Sequence, residues 1–564
     1  MRGESSVQSV PMANLTRDEF VALVGRSRAS GAAGAPGGDS TLAVPLSESL
    51  LSDQLTPVLA YRRLVAPDER TAPSFLLESV EGGERQGRYS ILGARPGLEV
   101  IARKDVVETR SACAGAGGIG RAIGELAKAS QDPFEVIRDF SRRITLVLPE
   151  PKGPRERLPA CFLGGWVGYA GYDTVRYVEP VKLGWGSAPP DDRDLPDLHF
   201  AFYEGVVVFD HVDKLVHVVQ LALVGPGEDA GVVYDNAIAA LEQRIEEIQR
   251  HTTPLPSGRV SREGSGADLP SNLTRAQHAS MLERAMAYIR AGDIFQVVLG
   301  QRFERPSRVD PFDVYRALRV VNPSPYMVYL QAQGCILIAS SPEILCRVRT
   351  QPSAEDPSRS ARVVTNRPLA GTRKRGGTPD EDLALERELL ADEKERAEHI
   401  MLVDLGRNDV GRVALPGSIA LPAVMEIERY SHVMHISSTV TGELRDGLDA
   451  WDALRAALPV GTISGAPKIR AMQIIDELEP IKRGPYGGGM GYVGLDGQMD
   501  IALTLRTIVT PTAMRRTDGT WVYHLQASGG IVADSQPEPE YMETVNKAAA
   551  MARAIDLAER AFTP

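Results

Sequence analysis

Four glutamates fall into two pairs with a spacing of three. Glu395 and Glu398 lie in 392-DEKERAEHIMLVDL-405, Glu540 and Glu543 in 538-EPEYMETVNKAAAMARAI-555. Both stretches read as helices, and that spacing puts the two carboxylates of a pair on one helix face. Two such faces set opposite each other would offer the hard oxygen ligands that Mg2+ takes, with water completing its octahedral shell. The same pattern is common on solvated helix faces, and spacing alone leaves both readings open. Arg506 carries a fork of donors suited to a carboxylate. The segment 498-QMDIALTLRTIV-509 alternates like a strand and puts Gln498, Asp500, Ala502, Thr504 and Arg506 on one face. His432 and His435 lie in strand-like 429-RYSHVMHISSTVTGEL-444. Their spacing sends them to opposite faces, which suits one as a proton carrier better than both as joint metal ligands. The stretch 367-RPLAGTRKRG-376, with three Arg and one Lys, is built to receive an anion. Yet Ala370 stands before its Gly-Thr pair, where a nucleophile could act.

Gly489, Gly491 and Gly494 match G-x-G-x-x-G. A dinucleotide site needs a helix to open there. Here a turn at Asp496-Gly497 and an alternating segment follow, so the glycines are read as a close approach of backbone to a ligand.

The elements that must position these groups are legible in outline. Residues 1–40 are small, polar and Gly-rich, read as a disordered tail with a short helix near 16–24. Residues 41–250 are strand-rich, with 73-PSFLLESV-80, 161-CFLGGWVGYAGY-172 and a hairpin over 204–223 turning at Asp210–Lys214, closed by a helix over 231–250. A Pro/Gly/Ser linker spans 251–270, and 271–564 forms a second domain. It opens on a helix with Ser271 or Asn272 as N-cap, followed by strands near 294–303, 326–331 and 335–340. The polar insertion 349–362 is read as a surface hairpin loop. Strands and helices without regular βαβ alternation give α+β with large antiparallel sheets.

Bulk properties narrow the field. A chain of 564 residues exceeds one ordinary core. Net charge is −11 with no long basic tract, which argues against nucleic acid. Four cysteines without C-x-x-C suit a reduced, cytoplasmic protein with neither disulfides nor zinc. No apolar run is long enough for a membrane span.

Seven ordered stretches together resemble the chorismate-utilising enzyme family: 292-GDIFQVVLGQRF-303, 338-IASSPEIL-345, 368-PLAGTRKRG-376, 398-EHIMLVDLGRND-409, 459-PVGTISGAPK-468, 484-GPYGGGMGYVG-494 and 533-ADSQPEPEYMETVNKA-548. The resemblance covers about residues 271–560. It implies sheets packed as a two-layer sandwich with helices outside, and chorismate bound with Mg2+. By it, Glu398 and Glu543 are metal ligands, with Glu395 and Glu540 beside them, directly or through water. Arg506, Tyr486 and the backbone at Gly529 and Gly530 would hold the enolpyruvyl carboxylate, with Ser528 and Lys547 in the substrate site. Gly371, Thr372 and Thr462 would line the ring.

Within the family, covalent aminodeoxychorismate synthases carry a lysine at the place of Ala370. Water-using isochorismate and salicylate synthases carry a lysine base at what corresponds to Gln296. A methyl cannot attack and an amide is no base, so the pair resembles the anthranilate-forming branch, in which ammonia is the nucleophile. That resemblance implies Glu343 as the acid for the departing C4 hydroxyl and His435 as the base for the final elimination. It also implies a separate glutamine amidotransferase subunit delivering ammonia, assembly as a heterotetramer, and the first committed step of tryptophan biosynthesis. Leu76-Leu77-Glu78-Ser79 and 322-NPSPYM-327 resemble that branch's tryptophan-inhibitor site, with Ser79, Pro325, Tyr326 and Met327 as contacts. The rivals are a non-covalent aminodeoxychorismate synthase, an isochorismate or salicylate synthase, and a silent tryptophan sensor.

Overall fold

The computed structural model describes residues 13–29, 40–81, 85–111, 130–151, 158–250, 257–260, 269–353, 356, 358–430 and 433–562. Cys113 and His432 lie outside them. Two large sheets dominate. Among the described residues, one has twelve strands, in the order Gly465–Ala466, Gln296–Ser307, Trp521–Ile531, Thr507–Pro511, Cys335–Ser341, Tyr326–Ala332, Ser74–Glu78, Tyr89–Ala94, Gly205–Asp210, Leu215–Val224, Thr41–Leu51 and Ile144–Leu146. The other has eleven. Ten run Leu369–Lys374, Val433–Glu443, Ser360–Asn366, Ile344–Pro352, Met499–Leu503, Gly489–Gly494, Gly165–Ala170, Leu198–Tyr203, Leu98–Arg103 and Val106–Ser111, and Ala420–Arg429 pairs beside Val433–Glu443. Among the described residues, pairing within these two sheets is antiparallel apart from Thr41–Leu51 beside Ile144–Leu146.

Period-two alternation builds the layers. Val206 and Val208 enter an apolar cluster shared with Tyr169 and Met490 of the other sheet. Val207 and Phe209 face the opposite way, into a cluster completed by helical residues such as Tyr315 and Ile555. The expected hairpin turns where Asp210 Oδ1 accepts the backbone N–H groups of Val212 and Asp213 at 3.0 and 3.1 Å.

The structure redraws several expectations. The short helix expected near 16–24 is present and longer, Arg17–Ala29, and its Phe20 and Val24 are buried in the core. Burial on that scale stabilises by about 1.5–3 kcal/mol per side chain. The expected linker is described only at 257–260 and 269–270, and the change of segment does not separate two cores. Leu77 pairs with Val328, and Gly168 with Gly491, so both sheets run through both halves. Thr274, not Ser271 or Asn272, caps the helix Arg275–Ala291, in a capping box with Gln277. The hairpin at 349–362 is mostly paired, with strands meeting as far as Pro352 and Ser360.

The largest correction concerns Arg506. The stretch 498–509 is not one strand. Met499–Leu503 belongs to the eleven-stranded sheet and Thr507–Pro511 to the twelve-stranded one. The chain changes sheets at 504–506, and Arg506 takes a left-handed backbone with φ 46°. For a residue with a Cβ that conformation costs about 1–2 kcal/mol. The glycines at 489–494 lie on the strand Gly489–Gly494, and what they approach is protein. A Cβ at Gly491 would stand 2.1 Å from the Asp500 carbonyl oxygen, and one at Gly489 2.5 Å from Ile501.

Candidate active site

His435 sits on Val433–Glu443, beside a bulge in Leu369–Lys374 between Ala370 and Arg373. The bulge needs Gly371 at φ 65° and turns its carbonyl to the imidazole. His435 Nδ1 lies 2.8 Å from Gly371 O and 3.1 Å from Thr372 Oγ1. A carbonyl only accepts, so Nδ1 carries the proton and Nε2 the lone pair. Nε2 is buried without a hydrogen-bond partner among the described residues. Burial, then the Arg506 charge, pushes the imidazole pKa down to about 4. It is therefore neutral at pH 7, with a free base nitrogen.

Glu343 is protonated where His435 is not. It follows Cys335–Ser341, and its Oε1 accepts the Thr462 hydroxyl at 2.9 Å. Burial pushes its carboxyl up to about 8, against the opposing pull of Thr462, the Leu369 backbone and Arg506. Thr462 is brought in by the short helix Gly461–Ser464. That helix approaches Glu393–Gly411 so closely that a Cβ on Gly461 would meet Leu405 at 2.4 Å. The Arg506 charge bears on both Glu343 and His435. An acid and a base with their pKa values pushed apart are the ingredients of paired proton transfers.

The two glutamate pairs meet at a diglycine. Asp392 caps Glu393–Gly411, accepting the Lys394 and Glu395 N–H groups at 3.1 and 3.2 Å, and sets the turn that bears Glu395 and Glu398. Glu540 and Glu543 lie on Pro537–Phe562. A Cβ on Gly529 would stand 3.2 Å from Glu540 and 3.8 Å from Glu543; one on Gly530 would stand 2.6 Å from Gln296 and 3.6 Å from Glu398. A Cβ on Gly371 would stand 3.2 Å from Glu395, which ties that carboxylate to the His435 bulge. Gln296 is buried and donates Nε2 to Glu398 Oε1 at 3.0 Å.

Among the described residues, no group of three or more His, Cys, Asp or Glu side chains stands ready to hold a metal ion. The carboxylates have taken other partners. Glu543 pairs with Lys547 at 2.6 Å, Glu540 accepts from Ser535 at 2.8 Å, and Glu395 is 3.5 Å from Arg373. The set still fits a hard cation. Glu540 Oε2 is buried with no hydrogen-bond partner among the described residues. Burial, and then the charge of Glu398, raises the Glu395 pKa; burial and the charge of Glu543 raise that of Glu540. A divalent ion bridging the pairs would relieve both costs.

Tyr486 and Ser528 lie together and buried, and the Ser528 carbonyl accepts Lys547 Nζ at 2.9 Å.

A separate cavity of about 840 Å³ lies where Ser74–Glu78 meets Tyr326–Ala332. Glu78 pairs with Met327, so strand pairing brings Ser79 to the same place as Pro325, Tyr326 and Met327, and all four line the cavity. Glu78 is engaged elsewhere, accepting the Tyr315 hydroxyl at 2.7 Å. The Tyr326 hydroxyl donates to Asp500 at 2.9 Å and accepts from Arg347 at 2.7 Å.

Sequence reasoning missed Tyr430 and Glu428. Glu428 is the cross-strand partner of His435. The Tyr430 ring meets the His435 ring edge-on, with centroids 5.7 Å apart. The hairpin of Ala420–Arg429 with Val433–Glu443 was the available signal, since it folds residues 428 and 430 back toward the histidine.

A family model described as chorismate binding enzyme matches residues 101–553. The chain is 51% identical over 541 residues to the anthranilate synthase alpha subunit 1, chloroplastic, of Arabidopsis thaliana, covering 93% of this chain and 87% of that one. It is 46% identical over 520 residues to anthranilate synthase component 1 of Thermus thermophilus, covering 91% and 98%. Anthranilate synthase component I from Streptococcus pneumoniae superposes with a TM-score of 0.65 at 34% identity, covering 89% of this chain and 98% of that one. The menaquinone-specific isochorismate synthase of Escherichia coli shares the fold at 17% identity, with a TM-score of 0.61, covering 94% and 100%. The chain belongs to the chorismate-binding enzymes and, within them, to the family of anthranilate synthase alpha and component I chains.

Proposed function

We propose that this chain converts chorismate and ammonia to anthranilate and pyruvate in a Mg2+-dependent reaction that tryptophan inhibits. The observation that carries the choice of nucleophile is Gln296. Its amide is buried and committed to Glu398, so no base stands there to activate water. Ala370 supplies no nucleophile of its own.

Arg506, Tyr486, Ser528 and the Gly529–Gly530 backbone orient the enolpyruvyl carboxylate, while Gly371, Thr372 and Thr462 line the ring. Glu398 and Glu543, with Glu395 and Glu540 beside them, would hold Mg2+, which when bound would neutralise the ring carboxylate. Ammonia adds at C2. Glu343, protonated at neutral pH, gives its proton to the C4 hydroxyl as that group leaves as water. The adduct's ammonium releases its extra proton. His435 Nε2 then takes the C2 proton, the C3–O bond breaks and the ring becomes aromatic, and the departing enolpyruvate takes a proton at its methylene carbon to become pyruvate. Ammonia is mostly ammonium at neutral pH, and a separate glutamine amidotransferase subunit in a heterotetramer would deliver it unprotonated. The 840 Å³ cavity is the tryptophan site in this reading, with Ser79 and Pro325–Met327 on its wall.

The test mixes the purified chain with chorismate, Mg2+ and an ammonium salt at mildly alkaline pH, with and without L-tryptophan. Anthranilate fluorescence that tryptophan suppresses is the expected result. Chorismate consumed without anthranilate would overturn the proposal, and the product's mass would name the sibling reaction.

A further inference from the structure

We propose that Tyr430 is a positioning residue for His435 and Arg506, and that the occupant of the 840 Å³ cavity acts on the chemistry by displacing it. The second half rests on the reading of that cavity as the effector site.

Tyr430 stands between the two sites. On one side it lines the large cavity, together with Glu428 and Arg367. On the other its ring packs edge-on against the His435 imidazole, and its phenol sits in the field of Arg506. Its pose is fixed at both ends. The backbone N–H donates to Val433 O at 2.8 Å. The carbonyl accepts Arg375 Nη1 at 2.7 Å, and Arg375 is itself forked onto Asp382. The hydroxyl donates to Glu428 Oε2 at 2.7 Å, and the other carboxylate oxygen of Glu428 pairs with Arg367. With its proton committed to Glu428, the phenol is a support and not an acid.

This wall also bears on Glu343. Pro342 and Ile344, its chain neighbours, line the cavity, while the Glu343 side chain is directed to Thr462. Glu428 is the strand partner of His435, so movement of the Arg367–Glu428–Tyr430 chain is felt directly at the base. A ligand that pulls Arg367 or Glu428 toward itself frees the phenol, and the imidazole loses the ring that fixes its plane. Such coupling has a physical carrier: one packed element whose position both sites bias.

Tyr430→Phe keeps the ring and removes the bond to Glu428. In the full chain its anthranilate formation and its tryptophan binding by calorimetry are compared with wild type. The expected result is kcat lowered about tenfold with KM for chorismate nearly unchanged, and tryptophan bound within about threefold of wild type. At saturating tryptophan the wild type is silent, whereas the variant keeps about half of its own uninhibited rate. Glu428→Gln, made with Tyr430 intact, still accepts the phenol proton through its amide oxygen and should keep most of the wild-type kcat. Full inhibition of Tyr430→Phe with an unchanged kcat overturns the proposal. Wild-type protein that binds no tryptophan overturns the effector reading and this route with it, while the kcat comparison still decides the positioning role.

Discussion

The Thr462 hydroxyl donates to Glu343 at 2.9 Å, and the carboxyl that receives it is 3% exposed. A carboxyl so sealed holds its proton to about pH 8. The alkaline limb of kcat should therefore lie near 8. Glu343→Gln should lower kcat by about 10²–10⁴-fold and remove that limb. The same group leaves a mark on stability. Its folded pKa is above its unfolded one, so between about 4.5 and about 8 the folded chain binds more protons, and stability falls as pH rises through that window. Urea midpoints at pH 5, 7 and 9 should show the decline in wild type and a shallower one in Glu343→Gln. Equal slopes would show that Glu343 is not the buried proton holder.

His435 titrates in the opposite sense. Its folded pKa, about 4, is below the ordinary 6.5, so it is neutral through the physiological range. The stability linked to it is present above about 6.5 and is lost as pH falls through about 4. His435→Ala should leave ammonia addition largely intact and block loss of the C2 proton, so the amino intermediate accumulates, detectable by mass. Unchanged anthranilate formation would defeat the assignment. An inflection near 6.5 in the elimination step would show a base that is exposed in the working enzyme.

The sequence carried the local chemistry further than the chain path. The spacing of Glu395 with Glu398 and of Glu540 with Glu543 was enough to predict paired faces, because helix geometry is local. Their meeting at Gly529–Gly530 is long-range and emerged only with the fold. Arg506 shows the limit most clearly. Alternation across 498–509 is genuine on either side, but alternation does not say to which sheet each half belongs, and the crossover falls at the functional residue. The division of the chain at 251–270 meets a related limit. A Pro/Gly/Ser-rich segment marks where the backbone leaves one element, whereas Leu77 opposite Val328 is decided by strand pairing that composition does not encode.

The diglycine makes the metal proposal testable by size alone. Alanine at Gly530 would place a methyl 2.6 Å from Gln296 Nε2, and alanine at Gly529 would place one 3.2 Å from Glu540. Gly530→Ala should raise the Mg2+ concentration needed for half-maximal rate by about tenfold or more, as supporting groups around metal ligands commonly do when displaced. Gly529→Ala, with more room, should do so less. Glu398→Gln and Glu543→Gln should each lose most activity, with partial recovery at high Mg2+. A chelator should abolish wild-type turnover, and Mg2+ should restore it. Wild-type turnover that persists in chelator would remove the metal from the proposal.

Arg506 is held in a left-handed conformation at the point where the chain passes from one sheet to the other, with its backbone carbonyl accepting the Ser340 N–H at 3.2 Å. Among the described residues its guanidinium has neither an ion pair nor a hydrogen bond, although Glu343 and Tyr430 lie close enough to be felt. A partly buried cation left in that condition is costly unless an anion arrives, and the substrate carboxylate is that anion. Arg506→Lys keeps the charge and loses the fork. It should raise KM for chorismate by about ten- to a hundredfold while changing kcat far less, because the carboxylate is bound alike in ground and transition states. Stability separates this from a folding defect. Arg506→Gly gives the backbone its preferred residue for a positive φ and removes an unpaired, partly buried charge, so it should melt at or above the wild-type temperature while binding chorismate worst of all. If Arg506→Gly unfolds early, the arginine is holding the crossover together, and the raised KM would have to be assigned to that.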